Sequence, residues 1–212
     1  MARALVPILF FLGLVRPAWS ADDVPSEARA AWTAMAEVDS LRARFRQVRH
    51  TSLLSKPVES TGTLHFRRPD RLAWTVLEPS RSTFVVAGSR VGVSYPDLGV
   101  EQVFDVAENA EIARTVQGMT AWLSGDLETI ARDYRIAWES TEEGGLAVLT
   151  PRSVPLRALV QQMELHVTGS PLRVSRVRIV EPDRDYVTIE LFDVDPAATF
   201  GGEAFQLPTL PP

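Results

Sequence analysis

From Gly62 onward, apolar and polar positions alternate with a period of two. Gly62, Leu64 and Phe66 share one side, with Thr63, His65 and Arg67 opposite; Leu72, Trp74 and Val76 share the next run, and Val91, Val93 and Tyr95 another. Arg68-Pro69-Asp70, Glu78-Pro79-Ser80, Ala87-Gly88-Ser89 and Pro96-Asp97-Leu98-Gly99 separate the runs at hairpin spacing. Strands with one oily and one wet face belong to antiparallel sheets. A further strand is expected over Glu101 to Val106. Leu41 to Gln47 fits a strand, with Leu41, Ala43 and Phe45 against Arg42, Arg44 and Arg46, although Leu41, Phe45 and Val48 also fit a helix face. The alternating arginines favour the strand.

Two stretches change period. Ser26 to about Val38 places Ala28, Ala31, Trp32 and Met35 on one helical face, and Glu111 to Leu123 does the same with Ile112, Val116, Met119 and Leu123. Gly125-Asp126 interrupts the second, and Leu127, Ile130 and Ala131 suggest another short helix. Alternation then resumes through Tyr134/Ile136/Trp138, Leu146/Val148/Thr150, Met163/Leu165/Val167 and Val187/Ile189/Leu191. Between Leu172/Val174 and Val177/Ile179 the phase slips by one, as a β-bulge produces. Pro208, Pro211 and Pro212 suggest a frayed end.

The expectation is a mainly β fold with some α: ten or eleven short strands and only three short helices to cover their apolar face. A large antiparallel sheet must cover that face and tends to curl. Helices lying in its concave side would leave a cleft lined by Leu64, Phe66, Trp74, Phe84, Val93 and Tyr95.

Composition narrows the function. Arg3 followed by an apolar run from Ala4 to Val15 and Ala18-Trp19-Ser20 reads as a cleaved signal peptide over residues 1–20, too short for a membrane anchor. One domain over 21–212 is expected, exported to the periplasm. Without Arg3 and Arg16, 20 basic residues face 27 acidic ones, a formal charge of −7. That balance opposes nucleic-acid binding, which needs a cationic footprint. No cysteine is present, so neither a disulfide nor a thioether-linked lipid anchor is expected. His50, His65 and His166 fall in no metal-ligand spacing, and no nucleotide-loop or hydrolase motif occurs. No metal, cofactor or enzymatic activity is expected, a lipid hydrolase being disfavoured by the scattered histidines.

Several pieces, in this order and spacing, resemble the LolA family of periplasmic lipoprotein carriers. They are Phe45-Arg46-Gln47, Gly62-Thr63-Leu64-His65-Phe66, Arg68-Pro69, Trp74-Thr75-Val76, Glu78-Pro79, Gly88, Tyr95-Pro96 and Glu101-Gln102-Val103. Weaker likenesses follow at Leu149-Thr150-Pro151, Phe192-Asp193-Val194-Asp195, Phe200 and Phe205. The resemblance implies an unclosed antiparallel barrel with a helical lid that includes Glu111 to Leu123. Its interior would receive acyl chains, with Phe45 and the lid residues Met119, Trp122 and Leu123 joining the cleft. It also implies a latch: the family's arginine before the second-turn proline, here Arg68, hydrogen-bonds to the lid. The implied partners are an acylated lipoprotein or other lipid cargo, an inner-membrane release complex and an outer-membrane receptor, with the protein itself a monomer. Two departures are the apolar link Leu53-Leu54-Ser55-Lys56-Pro57 and an end only seven residues beyond Phe205. A lipid- or lipoprotein-sensing module without transport is the alternative.

Overall fold

A computed structural model describes residues 24–108 and 110–209; the leader expected over residues 1–20 and the last prolines, Pro211 and Pro212, lie outside them. Eleven strands form one antiparallel sheet. The first six are β1 (Ser40–His50), β2 (Val58–Arg67), β3 (Arg71–Glu78), β4 (Ser82–Ala87), β5 (Arg90–Tyr95) and β6 (Val100–Asp105). The rest are β7 (Tyr134–Thr141), β8 (Gly144–Pro151), β9 (Gln162–Thr168), β10 (Arg173–Val180) and β11 (Tyr186–Asp195). Their order is β6-β5-β4-β3-β2-β1-β11-β10-β9-β8-β7. Two meanders meet where the first strand pairs with the last, Phe45 opposite Leu191. β6 and β7 remain as edges, so the curved barrel is not closed.

Helices α1 (Ser26–Met35), α2 (Ala110–Ser124) and α3 (Leu127–Asp133) accompany the sheet, and a single turn, α4 (Val154–Arg157), links β8 to β9. α1 buries Ala28, Ala31, Trp32 and Met35, the face its spacing marks out. It stops at Met35, short of Val38, and residues 36–39 lead directly into β1. α3 begins at Asp126, whose side chain accepts from the Thr129 N–H at 3.0 Å, a conventional N-cap. α4, which periodicity does not announce, is capped by Ser153, whose side chain accepts from the Leu156 N–H.

In β1 the arginine alternation resolves as strand: Leu41, Ala43 and Phe45 are buried and Arg42, Arg44 and Arg46 exposed. Those arginines pair across the convex face, Arg46 with Glu59 at 2.6 Å and Arg42 with Asp195 at 3.1 Å. The register shift between Val174 and Arg176 is the bulge that the phase slip anticipates. β8 reverses its expected phase. Gly145, Ala147 and Leu149 are buried, whereas Leu146 and Val148 are half-buried and Thr150 is exposed. Volume explains the reversal: a Cβ on Gly145 would lie 2.1 Å from Trp138 Cζ2, so small residues face inward to admit that ring.

The central packing turns on another glycine. Phe45 stacks on Trp74 with ring centroids 4.1 Å apart. Gly62 lies opposite Phe45, and a Cβ there would fall 2.6 Å from the ring and 2.0 Å from the Thr75 carbonyl oxygen. The convex face also has a small core of its own: Phe205, Ala73 and Val85 are buried with Phe200 and Leu207 against them. The segment expected to fray therefore docks at least as far as Pro208, whose ring sits where a Cβ on Gly92 would be, 2.3 Å away.

Candidate functional site

Antiparallel pairing puts the inward positions of β1–β5 on one concave surface, and the helical insertion between β6 and β7 covers it. Phe45, Leu64, Phe66 and Trp74 from the strands and Trp122 and Leu123 from α2 are buried in one continuous apolar cluster. Phe84, Val93 and Met119 are half-buried and pack against it. Tyr95 is placed differently, 42% exposed at the end of β5. The second half of the sheet adds Ile136, Leu149, Leu165, Val177 and Ile189 to the same cluster. Their alternation is visible in the sequence, but only the β1–β11 pairing brings them onto the surface formed by β2–β5.

α1 contributes Trp32, whose ring meets Trp138 edge-on at 5.9 Å. The Trp32 Nε1–H is buried with no acceptor among the described residues. An indole N–H shut away from water without a partner costs free energy unless something else accepts from it. Among the described residues it is the one polar atom of this kind within the apolar cluster, and nothing in its sequence neighbourhood distinguishes it from a core tryptophan.

Arg68 lies half-buried in the β2–β3 turn and reaches two main-chain carbonyls. Its Nε–H donates to Val38 O at 3.1 Å, in the link between α1 and β1, and an Nη2–H donates to Ser124 O, at the last residue of α2. A cation suits a helix C-terminus because the final carbonyls there lack intrahelical partners and carry the negative end of the helix dipole. One side chain thus joins the β2–β3 turn to the end of α2 and to the link that follows α1.

Outside the concave surface the chemistry is ordinary. His50 stacks on Tyr186 at 4.4 Å, His65 lies 5.1 Å from Phe200, and the two are on separate parts of the convex face. Burial, then the nearby Arg42, hold His65 below the usual histidine value. Burial, helped by Asp133, raises the Tyr134 phenol, so it remains a neutral wall of the cluster near neutral pH. Two open recesses, of about 250 and 310 Å³, lie at the β1–β2 link and over Arg46, Arg176 and Arg178. Neither touches the concave cluster.

An open antiparallel barrel with an apolar concave surface under helices is a carrier and binding fold. Residues 36–208 match the family model described as outer membrane lipoprotein carrier protein LolA, and the chain belongs to that family. Among solved structures it resembles the MucA/MucB complex of Pseudomonas aeruginosa, with a TM-score of 0.54 and 14% identity over 86% of this chain and 62% of that chain. It also resembles an uncharacterized conserved protein from Thermus thermophilus (TM-score 0.54, 10% identity, 85% of this chain and 94% of that one). A structure of MucB alone gives 0.54 at 16% identity, covering 87% of this chain and 64% of that chain. The chain thus spans less than two thirds of the MucB chains. At such identities these likenesses are of fold. No curated protein sequence matches.

Proposed function

We propose that this protein is a periplasmic carrier that takes the acyl chains of a lipoprotein, or of a related lipidic cargo, onto its concave surface and moves it toward the outer membrane. The observation that carries the reading is the combination, within a LolA-family chain, of a continuous aromatic-rich concave cluster with a helix cover clasped to the sheet by Arg68. Each buried methylene is worth about 0.8 kcal/mol. An acylated molecule therefore leaves a bilayer slowly unless a protein offers comparable burial. The carrier must also let go, which favours a surface exposed only when its cover moves. In this reading Phe45, Leu64, Phe66, Trp74, Phe84 and Val93 form the wall, and Met119, Trp122 and Leu123 form the underside of the cover. Tyr95 guards the rim, and Arg68 is the latch. An ester or amide carbonyl at the root of an acyl chain would satisfy the Trp32 Nε1–H. Residues 21–212 act as one domain and a monomer, after removal of the leader, and hand cargo from an inner-membrane release complex to an outer-membrane receptor.

The fold shared with MucB, which has been crystallised with MucA, motivates one second reading: a module that binds a lipid or partner protein as a signal without transport. Fold alone does not choose between them. The test is mass spectrometry of the organic extract of protein purified from its native periplasm, followed by incubation with acceptor vesicles. A stoichiometric acylated molecule that passes to the vesicles is the carrier's result. A tightly retained protein partner, with no transferable lipid, would replace the carrier by the sensor.

A further inference from the structure

Nine of the ten large apolar side chains exposed among the described residues lie at one end of the sheet. This is the end where β1 passes to β2, β3 to β4, β5 to β6 and β8 to β9. Leu53 is 89% exposed and Leu54 lies beside it on the first of these links. Leu77 stands at the second, Leu98 (74% exposed) at the third, and Val154 (70%) and Leu159 (66%) on the fourth. The turns at the opposite end, around Asp70, Ser89, Glu142-Glu143 and Ser170, expose no side chain of this kind. The tenth, Phe192, is on the convex face beneath the Arg44 guanidinium, 5.0 Å away. Single exposed leucines are common on any protein; nearly all of them at one end of one sheet is a polarity of the whole molecule.

Charge also sets this end apart from the acidic remainder of the chain. Lys56, Arg81, Arg157 and Arg184 are exposed there and form no ion pair among the described residues. Most acids at the same end are occupied. Asp97 accepts from Ser80 Oγ and the Arg81 N–H, Asp185 from the Ser52 N–H, and Glu181 from Arg49. Asp97 and Asp185 keep their charge while accepting from neutral donors, so with Glu78 and Asp183 they balance the four cations. This end is close to neutral on a chain whose net charge is −5, and so is the end that an anionic surface repels least.

We propose that this end of the sheet is a membrane-docking rim. It lays its leucine tips into the boundary between headgroups and acyl chains of a bilayer containing anionic lipid, with Lys56, Arg81, Arg157 and Arg184 against the headgroups. The spread of the tips selects a bilayer as occupant. From the β5–β6 turn to the β8–β9 link the edge crosses eight strand spacings, about 40 Å along the curve at about 4.8 Å each. The tips stand on four separate links rather than on one element, unlike the compact core of a folded partner's interface. A fluid bilayer accepts each tip independently, and its anionic headgroups complement the free cations. Docking at this rim does not rest on the carrier reading, since none of the leucines it inserts is assigned to the cargo surface.

The experiment is co-sedimentation of the mature protein with vesicles of phosphatidylethanolamine and phosphatidylglycerol, and with vesicles of phosphatidylcholine alone. The protein binds the anionic vesicles. The combined variant Leu53→Asp, Leu98→Asp and Leu159→Asp, checked for folding by circular dichroism, binds them about a hundredfold more weakly or not at all. Lys56→Gln and Arg184→Gln each weaken binding to anionic vesicles about fivefold at low salt. Failure of the wild type to sediment with anionic vesicles overturns the proposal, as does a triple variant that binds like wild type. A concentration-dependent dimer abolished by the triple variant also overturns it, assigning the rim to a second copy. Retention of a fluorescent acyl ligand without vesicles is unchanged in the triple variant. Unchanged retention in Trp74→Ala with docking intact would instead count against the carrier reading alone.

Discussion

Replacing Arg68 with leucine removes two hydrogen bonds from a guanidinium to Val38 O and Ser124 O and leaves both carbonyls without that donor. A hydrogen bond to a charged group contributes about 1.5–3 kcal/mol. Arg68 is only half-buried, so the lower figure applies, and only the bond to Ser124 O reaches the α2 cover, giving about 1.5 kcal/mol in favour of the covered state. That is a closed-to-open ratio lowered by about tenfold. A ligand that enters only the open state gains apparent affinity in proportion to the open fraction. Arg68→Leu therefore binds a fluorescent acyl ligand up to about tenfold more tightly, and the gain lies in faster loading, because the loaded, open state does not hold the latch. Arg68→Lys is intermediate, because one ammonium on a longer flexible stem does not reproduce the planar fork that reaches both carbonyls. The assay is ligand titration and stopped-flow loading, beside urea denaturation of each variant. If the denaturation midpoint falls while affinity and loading rate stay within about twofold of wild type, Arg68 is a structural clasp and the latch reasoning is wrong.

Two further outcomes rest on the packing and on the convex face. Gly62→Ala forces a Cβ to 2.0 Å from the Thr75 carbonyl oxygen and against the Phe45 ring, both held by the sheet. It should lower stability by about 3 kcal/mol, shifting the melting temperature down by about 6–12 °C; unchanged melting would mean that the Phe45–Trp74 stack is looser than its geometry indicates. His65, facing Phe200, cross-strand Arg42 and Ala73, is held below the usual histidine value by burial first and Arg42 second, so the folded state prefers it neutral. Its contribution is present above the ordinary histidine value and is lost as pH falls through the lowered one, because the unfolded chain takes up the proton first. Denaturation midpoints between about pH 7.5 and 5 should fall less steeply in His65→Gln than in wild type, and parallel slopes would remove His65 from the pH response.

Much of this architecture is written in local periodicity. The alternation of Leu64/Phe66 and Leu72/Trp74 marks strands because a pleated chain puts every second side chain on one face, and the same logic locates the slip near Val174. The buried face of α1 follows from spacings of three and four. Arg68 is found by its place before Pro69 and by the family likeness, not by any property that separates it from exposed Arg67. Where local pattern misleads, volume or distant chain is the cause. β8 turns Ala147 inward rather than Val148 because the space beneath Trp138 admits only small residues, a constraint set by the neighbouring strand. Ala73 and Val85 are buried on what reads as the wet face because the segment from Phe200 to Leu207 returns over it.

Neighbours a few residues apart suffice for the class of protein: strand-forming alternation, a helical insertion between the sixth and seventh strands and a family signature are all local patterns. Long-range folding is what puts two half-sheets on one face, brings one arginine to both the end of α2 and the link after α1, and gathers the exposed leucines at a single end. Those features depend on the pairing of β1 with β11 and on chain segments far apart in the sequence, separations over which a repeating local pattern carries no information.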